Sequence, residues 1–169
     1  MEFTLEAFNQ FDNPQARDLL QQCCGSTKWI EEMLNVRPFK SKSSMIQWAD
    51  DIWNSLSEHD WLEAFQHHPQ IGDLESLRSK FASTQHLAIS EQIGTTQASD
   101  AVLEQLAFYN QEYLHKFGYI FIICATGKSA QEMLEALKAR INNDTSEELT
   151  IAAEEQRQIT SLRLNKLIP

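Results

Sequence analysis

Structure breakers are scarce in this chain, whose 169 residues include only five glycines and four prolines. These two residues are the strongest local terminators of regular structure. Long uninterrupted elements are therefore expected, and length favours helices over strands. The chain is long enough for one domain that buries roughly two thirds of its unfolded surface. Apolar residues at 42% and charged residues at 22% fit an ordinary soluble fold.

The breakers that are present divide the chain. Asn13 and Pro14 form a cap-then-proline start for a helix to about Cys24, which Gly25 and Ser26 end. A second helix follows from Thr27 to about Val36 and stops before Pro38. Ser43 or Ser44 opens a third, whose Met45, Trp48, Ala49, Ile52, Trp53 and Leu56 recur at helical spacing. A short helix from Trp61 to Phe65 ends at a His-His-Pro break, a polar stretch runs from Gly72 to Thr84, and a turn or two of helix ends before Gly94. Ser99 caps a long helix to about Lys116, Ser129 opens another to Ile141, and a last one runs from Thr145 to about Lys166. Thr145 and Glu148 stand at capping-box spacing.

The run Tyr119 to Cys124 has strand-like composition but no second run to pair with. The expected fold is all-α. It is a single compact domain over residues 1–169, with about eight helices and one short buried extended segment.

Composition removes several function classes. A net charge of −10 opposes an electrostatic grip on nucleic acid or anionic membrane. Lys28, Arg37, Lys40 and Lys42 form the only locally basic stretch, and it is sparse. Cys23, Cys24 and Cys124 are an odd count without metal or disulfide spacing, which fits a reducing compartment. The segment MEFTLEAFNQF lacks a basic start and does not resemble a signal peptide. The apolar run Tyr119 to Ala125 is too short to span a bilayer, and the final Leu-Ile-Pro is no peroxisomal tripeptide. A cytoplasmic protein is expected.

Helical wheels reveal polar residues on inward faces. In the helix after Ser99, Val102, Leu103, Leu106, Tyr113, Leu114 and Phe117 form a stripe, with Asn110 in its middle. Burying an unpartnered amide costs about 1–3 kcal/mol, so Asn110 needs a partner, either a neighbouring loop or a ligand. In the last helix Leu149, Ala152, Ala153, Ile159 and Leu167 face inward, and Gln156, Thr160 and Arg163 share that arc. Arginine does not shed its charge. An inward Arg163 therefore calls for an internal carboxylate or an anionic ligand.

The segment His67-His68-Pro69-Gln70-Ile71-Gly72-Asp73 is the densest special sequence. Proline withdraws its preceding residue from helical geometry, which places His68 at a helix end. There the imidazole could cap or pack, or act as an acid–base group near neutral pH. His59, His86 and His115 are isolated, so no metal site is expected. Cys124 lies in an apolar run, where a thiol is usually an inert packing group.

With these residues in view, the sequence resembles the OHCU (2-oxo-4-hydroxy-4-carboxy-5-ureidoimidazoline) decarboxylases from about Phe8 to Leu167. The blocks are CCGSTKWIEEMLNVRPF, HHPQIGD, SEQIG, NQEYLHKFGYIFIICATG, and RINND through EEQRQITSLRLNKL, in that order. The resemblance implies an enzyme, a carboxy-lyase of urate degradation that forms (S)-allantoin, acting as a homodimer without metal or organic cofactor. It implies that His68 is the acid–base residue with Glu91 as its partner, that Pro69, Ser90 and Gln92 touch the small-molecule substrate, and that Arg163 anchors it. Main-chain groups of Phe121, Ile122, Ile123, Cys124 and Ala125 would meet the heterocycle. Gln70 departs from the family's usual arginine after the proline, which puts a contact by that side chain in doubt.

Such a decarboxylation can dispense with a cofactor because the substrate carries a ring imine beside the carbon bearing the carboxylate, an electron sink that cofactors otherwise supply. The competing class is a non-catalytic helical module for ligand binding or protein interaction. It leaves His68, Glu91, Asn110 and Arg163 without a common purpose.

Overall fold

Serine and aspartate side chains start most of the helices in this computed structural model, which describes residues 2–68, 75, 77–79 and 100–169. The Thr4 hydroxyl accepts from Ala7 N–H to open α1 (Leu5–Gln10), a short helix that apolar spacing did not disclose. Asp12 caps α2 (Asn13–Cys23) in a reciprocal box with Gln15. Ser26 caps α3 (Thr27–Asn35) at Trp29 N–H. In α4 (Lys42–Ser55) the cap is Ser41, not Ser43 or Ser44, because Ser44 is the third residue of the helix and completes the box. Likewise Ser57 with Asp60 starts α5 (Glu58–Gln66) three residues before the expected Trp61. Capping boxes satisfy backbone N–H groups that a helix leaves unpaired, which is why they outrank the apolar pattern in fixing the first turn.

The remaining helices with defined bounds are α6 (Asp100–Phe117), α7 (Ala130–Arg140) and α8 (Thr145–Leu167). Ser129 and Glu132 form the box of α7. Among the described residues there is no strand, so the class is all-α, and the run from Tyr119 to Ala125 is neither helix nor strand. No helix among them is long and apolar enough to cross a membrane.

The chain divides into two compact units, residues 1–68 with 149–169, and residues 69–148. In the first, α3 packs against α2, α4 and α5. Phe8, Leu20, Trp29, Met33, Met45 and Phe65 are fully or almost fully buried there. Tryptophan N–H groups tie the layers together: Trp29 donates to Ala49 O and Trp53 to Ala153 O, each at 3.0 Å. Trp48, expected on the inward stripe of α4, is instead 46% exposed, while Met45, Ala49, Ile52 and Trp53 carry that face.

In the second unit α6 packs against α7, and a polar cluster sits within the apolar layer. Glu148 is fully buried and accepts from Arg140 Nη2 at 2.6 Å and Nε at 2.9 Å, from Tyr113 Oη, and from Asn143 Nδ2 at 2.9 Å. Glu148 therefore does not serve in a box with Thr145; Asp144 accepts from Glu147 N–H at 2.8 Å and caps α8. Arg140 also donates to Ile122 O at 2.9 Å and lies over the Phe121 ring, so the cluster pins the irregular segment. Glu148→Ala would leave a buried guanidinium without its carboxylate, which costs about 3–5 kcal/mol. Denaturant unfolding should show that loss. A change below about 1 kcal/mol, the scale of solvated surface pairs, would mean that water replaces the carboxylate.

Candidate active site

His68 stands two residues beyond the end of α5. His67 is the C-cap in right-handed helical geometry, and His68 N–H donates to Phe65 O at 3.2 Å, tightening the final turn. Phe65 and Ala64 are buried, which anchors this end of the helix. Gly25, between α2 and α3, presses directly on it. A Cβ at Gly25 would lie 2.4 Å from His67 Cβ, so only glycine allows this approach. The sequence identified Gly25 as a helix breaker, and its packing role becomes visible only in three dimensions.

Opposite His68 lies one face of α8. Gln156, Thr160 and Arg163 follow at steps of four and three residues, the spacing of a single helical face. Gln156 is fully buried and Thr160 nearly so. The Gln156 side-chain carbonyl Oε1 forms a hydrogen bond with His68 Nε2, and the amide nitrogen of Gln156 donates to Thr160 Oγ1 at 3.1 Å. The Thr160 hydroxyl also lies near the Cys24 thiol and influences its acidity. Arg163, half-buried, donates through Nη1 to Cys23 O at 3.2 Å and Gln22 O at 3.4 Å, carbonyls at the end of α2. A cation there also complements the negative end of the helix dipole.

The two readings left open for Arg163 can now be compared. Among the described residues it forms no ion pair with a carboxylate. Its Nε and Nη2 have no partner among them either. The guanidinium thus keeps an edge with which it could hold an anion.

Electrostatics at the site favour neutral groups. Burial, as the largest influence, lowers the His68 pKa below its ordinary value of 6.5; the Gln156 hydrogen bond opposes this, and the positive charge of Arg163 and then His67 add to it. Burial likewise pushes Cys23 up to about 12 and Cys24 up to about 11, so both thiols stay protonated and unreactive. Among the described residues no three His, Cys, Asp or Glu side chains gather to hold a metal ion.

Pro69, Ser90, Glu91 and Gln92 lie outside the described residues, as do Gln70 and Gly72. His68 and Arg163 belong to the first unit, and Phe121 to Ala125 to the second. In that segment Ile122 and Cys124 are buried, while Phe121, Ile123 and Ala125 are half-buried. The carbonyls of Ile122 and Cys124 already accept from Arg140 and from Lys128 Nζ, each at 2.9 Å. Asn110, on α6, is half-buried.

The family model for OHCU decarboxylase matches residues 9–165. The uric acid degradation bifunctional protein TTL of Arabidopsis thaliana is 47% identical over 148 residues, which cover 86% of this chain and 45% of that protein. The 2-oxo-4-hydroxy-4-carboxy-5-ureidoimidazoline decarboxylase of Halalkalicoccus jeotgali is 26% identical over 97% of this chain and 91% of its own length. A crystal structure of an OHCU decarboxylase in the presence of (S)-allantoin matches with a TM-score of 0.71 and 43% identity, covering 88% of this chain and 96% of that one. The chain spans less than half the length of the bifunctional relatives it matches.

The lowered His68 pKa has a definite sign for stability. Between the folded pKa and 6.5 the unfolded chain binds more protons than the folded one, so stability must rise with pH across that window. The contribution is complete above 6.5 and is lost as pH falls through the folded value. An NMR titration of the His68 ring should have its midpoint below 6.5, and the stability difference between wild type and His68→Asn should shrink over the same fall in pH. A midpoint at or above 6.5 would show that burial does not dominate here.

Proposed function

Because the chain belongs to the OHCU decarboxylase family, we propose that it decarboxylates 2-oxo-4-hydroxy-4-carboxy-5-ureidoimidazoline to (S)-allantoin in urate degradation, without a cofactor. The observation that carries this reading is the arrangement of His68, Gln156 and Arg163: a neutral imidazole held by a buried amide, with a guanidinium on the same helix face whose Nε and Nη2 have no partner among the described residues.

In the proposed reaction Arg163 binds the substrate through its carboxylate or ring carbonyls, where a planar fork can make two parallel bonds. The bond to the carboxylate carbon breaks and carbon dioxide leaves. The electron pair forms a double bond to the former imine carbon, and the imine π pair moves to nitrogen, which takes a proton. The resulting enol loses its hydroxyl proton and becomes a carbonyl, while the former imine carbon gains a proton on one face. His68 is the acid–base group for these transfers. The family resemblance gives Glu91 the partner role and gives Pro69, Ser90, Gln92 and the main chain of Phe121 to Ala125 the remaining contacts. The match over residues 9–165 supports reading residues 1–169 as one such domain, proposed to act as a cytoplasmic homodimer. The net charge of −10 supports the absence of nucleic-acid and membrane partners.

The direct test is turnover of freshly generated substrate. Wild type should form (S)-allantoin stereospecifically, with a rate unchanged by EDTA; loss on chelation that zinc restores would overturn the cofactor-free reading. Cys124→Ser should keep most of its turnover, since sulfur has no covalent part in the scheme, and a trapped thiol adduct at Cys124 would refute that.

His68→Asn should lower turnover by about 10²–10⁴-fold, the usual worth of general acid–base help, with little change in analogue affinity. Arg163→Lys should weaken analogue binding while the protein stays folded. If its dominant symptom is a lower melting temperature with affinity intact, Arg163 acts only on the α2 carbonyls. A wild-type protein that binds analogue but never turns over substrate would point to the non-catalytic module.

A further inference from the structure

We propose that Gln156 is a positioning residue that holds neutral His68 in the Nε2–H tautomer, so that Nδ1 carries the lone pair that accepts a proton. The part it plays in turnover rests on the proposed acid–base role of His68; the tautomer itself does not.

Donors and acceptors along a buried chain set this tautomer. A neutral imidazole has one N–H, and its position is set by the partner of either nitrogen. Here Nε2 meets an amide oxygen, which can only accept. The orientation of that amide is not arbitrary, because its nitrogen end donates to Thr160 Oγ1. The Thr160 oxygen accepts from that nitrogen, beside the Cys24 thiol. Thr160 thus accepts from Gln156, Gln156 presents its carbonyl to His68, and His68 donates through Nε2. With Gln156 fully buried and Thr160 4% exposed, no solvent is at hand to satisfy a reversed amide. Reversal would set the amide N–H against the Nε2–H of the ring, and an unsatisfied buried polar group costs about 1–3 kcal/mol.

Among the described residues, the charged and titratable groups near this chain do not reverse its polarity. Arg163 approaches from α8 and His67 from the end of α5. Cys23 and Cys24, at the end of α2, remain protonated thiols, and Glu63 of α5 acts on Cys24 only through its charge. Glu63 is otherwise engaged at 2.7 Å and 2.9 Å by the Thr27 hydroxyl and backbone.

The test is nitrogen-15 NMR of the histidine rings in the full chain above the His68 pKa, with His68→Asn to assign the signals. The expected spectrum has Nε2 protonated and Nδ1 pyridine-like; the reverse would overturn the proposal. Thr160→Val removes the hydroxyl at nearly constant shape and frees the amide to turn, so the ring should become a mixture of tautomers, while Thr160→Ser should restore the single form. An unchanged spectrum in a folded Thr160→Val protein would also overturn it.

Gln156→Glu places a carboxylate against Nε2–H, so the His68 midpoint and the acid limb of kcat/KM should both move to higher pH. Turnover of Thr160→Val should fall roughly 10–100-fold, the usual worth of partners that orient a functional imidazole, with KM nearly unchanged and Thr160→Ser close to wild type. The expected tautomer in a wild-type protein without turnover would sink the decarboxylase reading and leave this one standing.

Discussion

A fully buried amide must find a partner for both of its ends, and Gln156 meets that requirement by drawing three helices of the first unit together. Its carbonyl faces the end of α5 through His68, and its nitrogen faces Thr160 and through it the end of α2. Leaving such a group unsatisfied costs about 1–3 kcal/mol, a large share of a marginal stability. The demand also restricts geometry, since hydrogen bonds weaken steeply with poor angles. The position of His68 is thus tied to a polar chain as well as to the packing of Phe65 and Ala64 below it.

Close backbone approach lets this chain close. Gly25 brings the α2–α3 junction against His67, where a methyl group would already collide. The same junction supplies the Cys23 carbonyl that Arg163 binds and the Cys24 thiol near Thr160. Ser26 adds a third function there by capping α3. Four consecutive residues therefore set the floor on which both the imidazole and the guanidinium rest.

How much of this could be read in the sequence depends on the range of the signal. The all-α class and most helices were readable because breakers and caps act within a few residues. Ser26 and Ser129 stand where the chain said they would. Errors arose where two physical causes share one pattern. Thr145 and Glu148 have box spacing, yet Glu148 binds Arg140 and Tyr113, groups remote in sequence. Trp48 matched the helical period but lies at the border of its stripe and is exposed. The wheel placed Gln156, Thr160 and Arg163 inward, and Gln156 and Thr160 are buried, but it gave no partner for any of them. Those partners come from other helices, and no local rule contains them.

The electrostatics bear on why a low-pKa histidine would suit the proposed chemistry. Without substrate, burial and the positive charge of Arg163 both keep His68 neutral. A carboxylate bound at Arg163 would offset that charge and favour the imidazolium, so an anionic substrate would prepare its own acid. Departure of neutral carbon dioxide leaves that negative charge on the ring, where it passes to the former imine nitrogen. The imidazolium, in a buried site that disfavours it, can deliver its proton there and return to the neutral form. General acids work best when their pKa lies near the working pH. In this site a swing of that kind needs no moving part, because the charge that tunes His68 enters with the carboxylate and is neutralised when the proton is delivered.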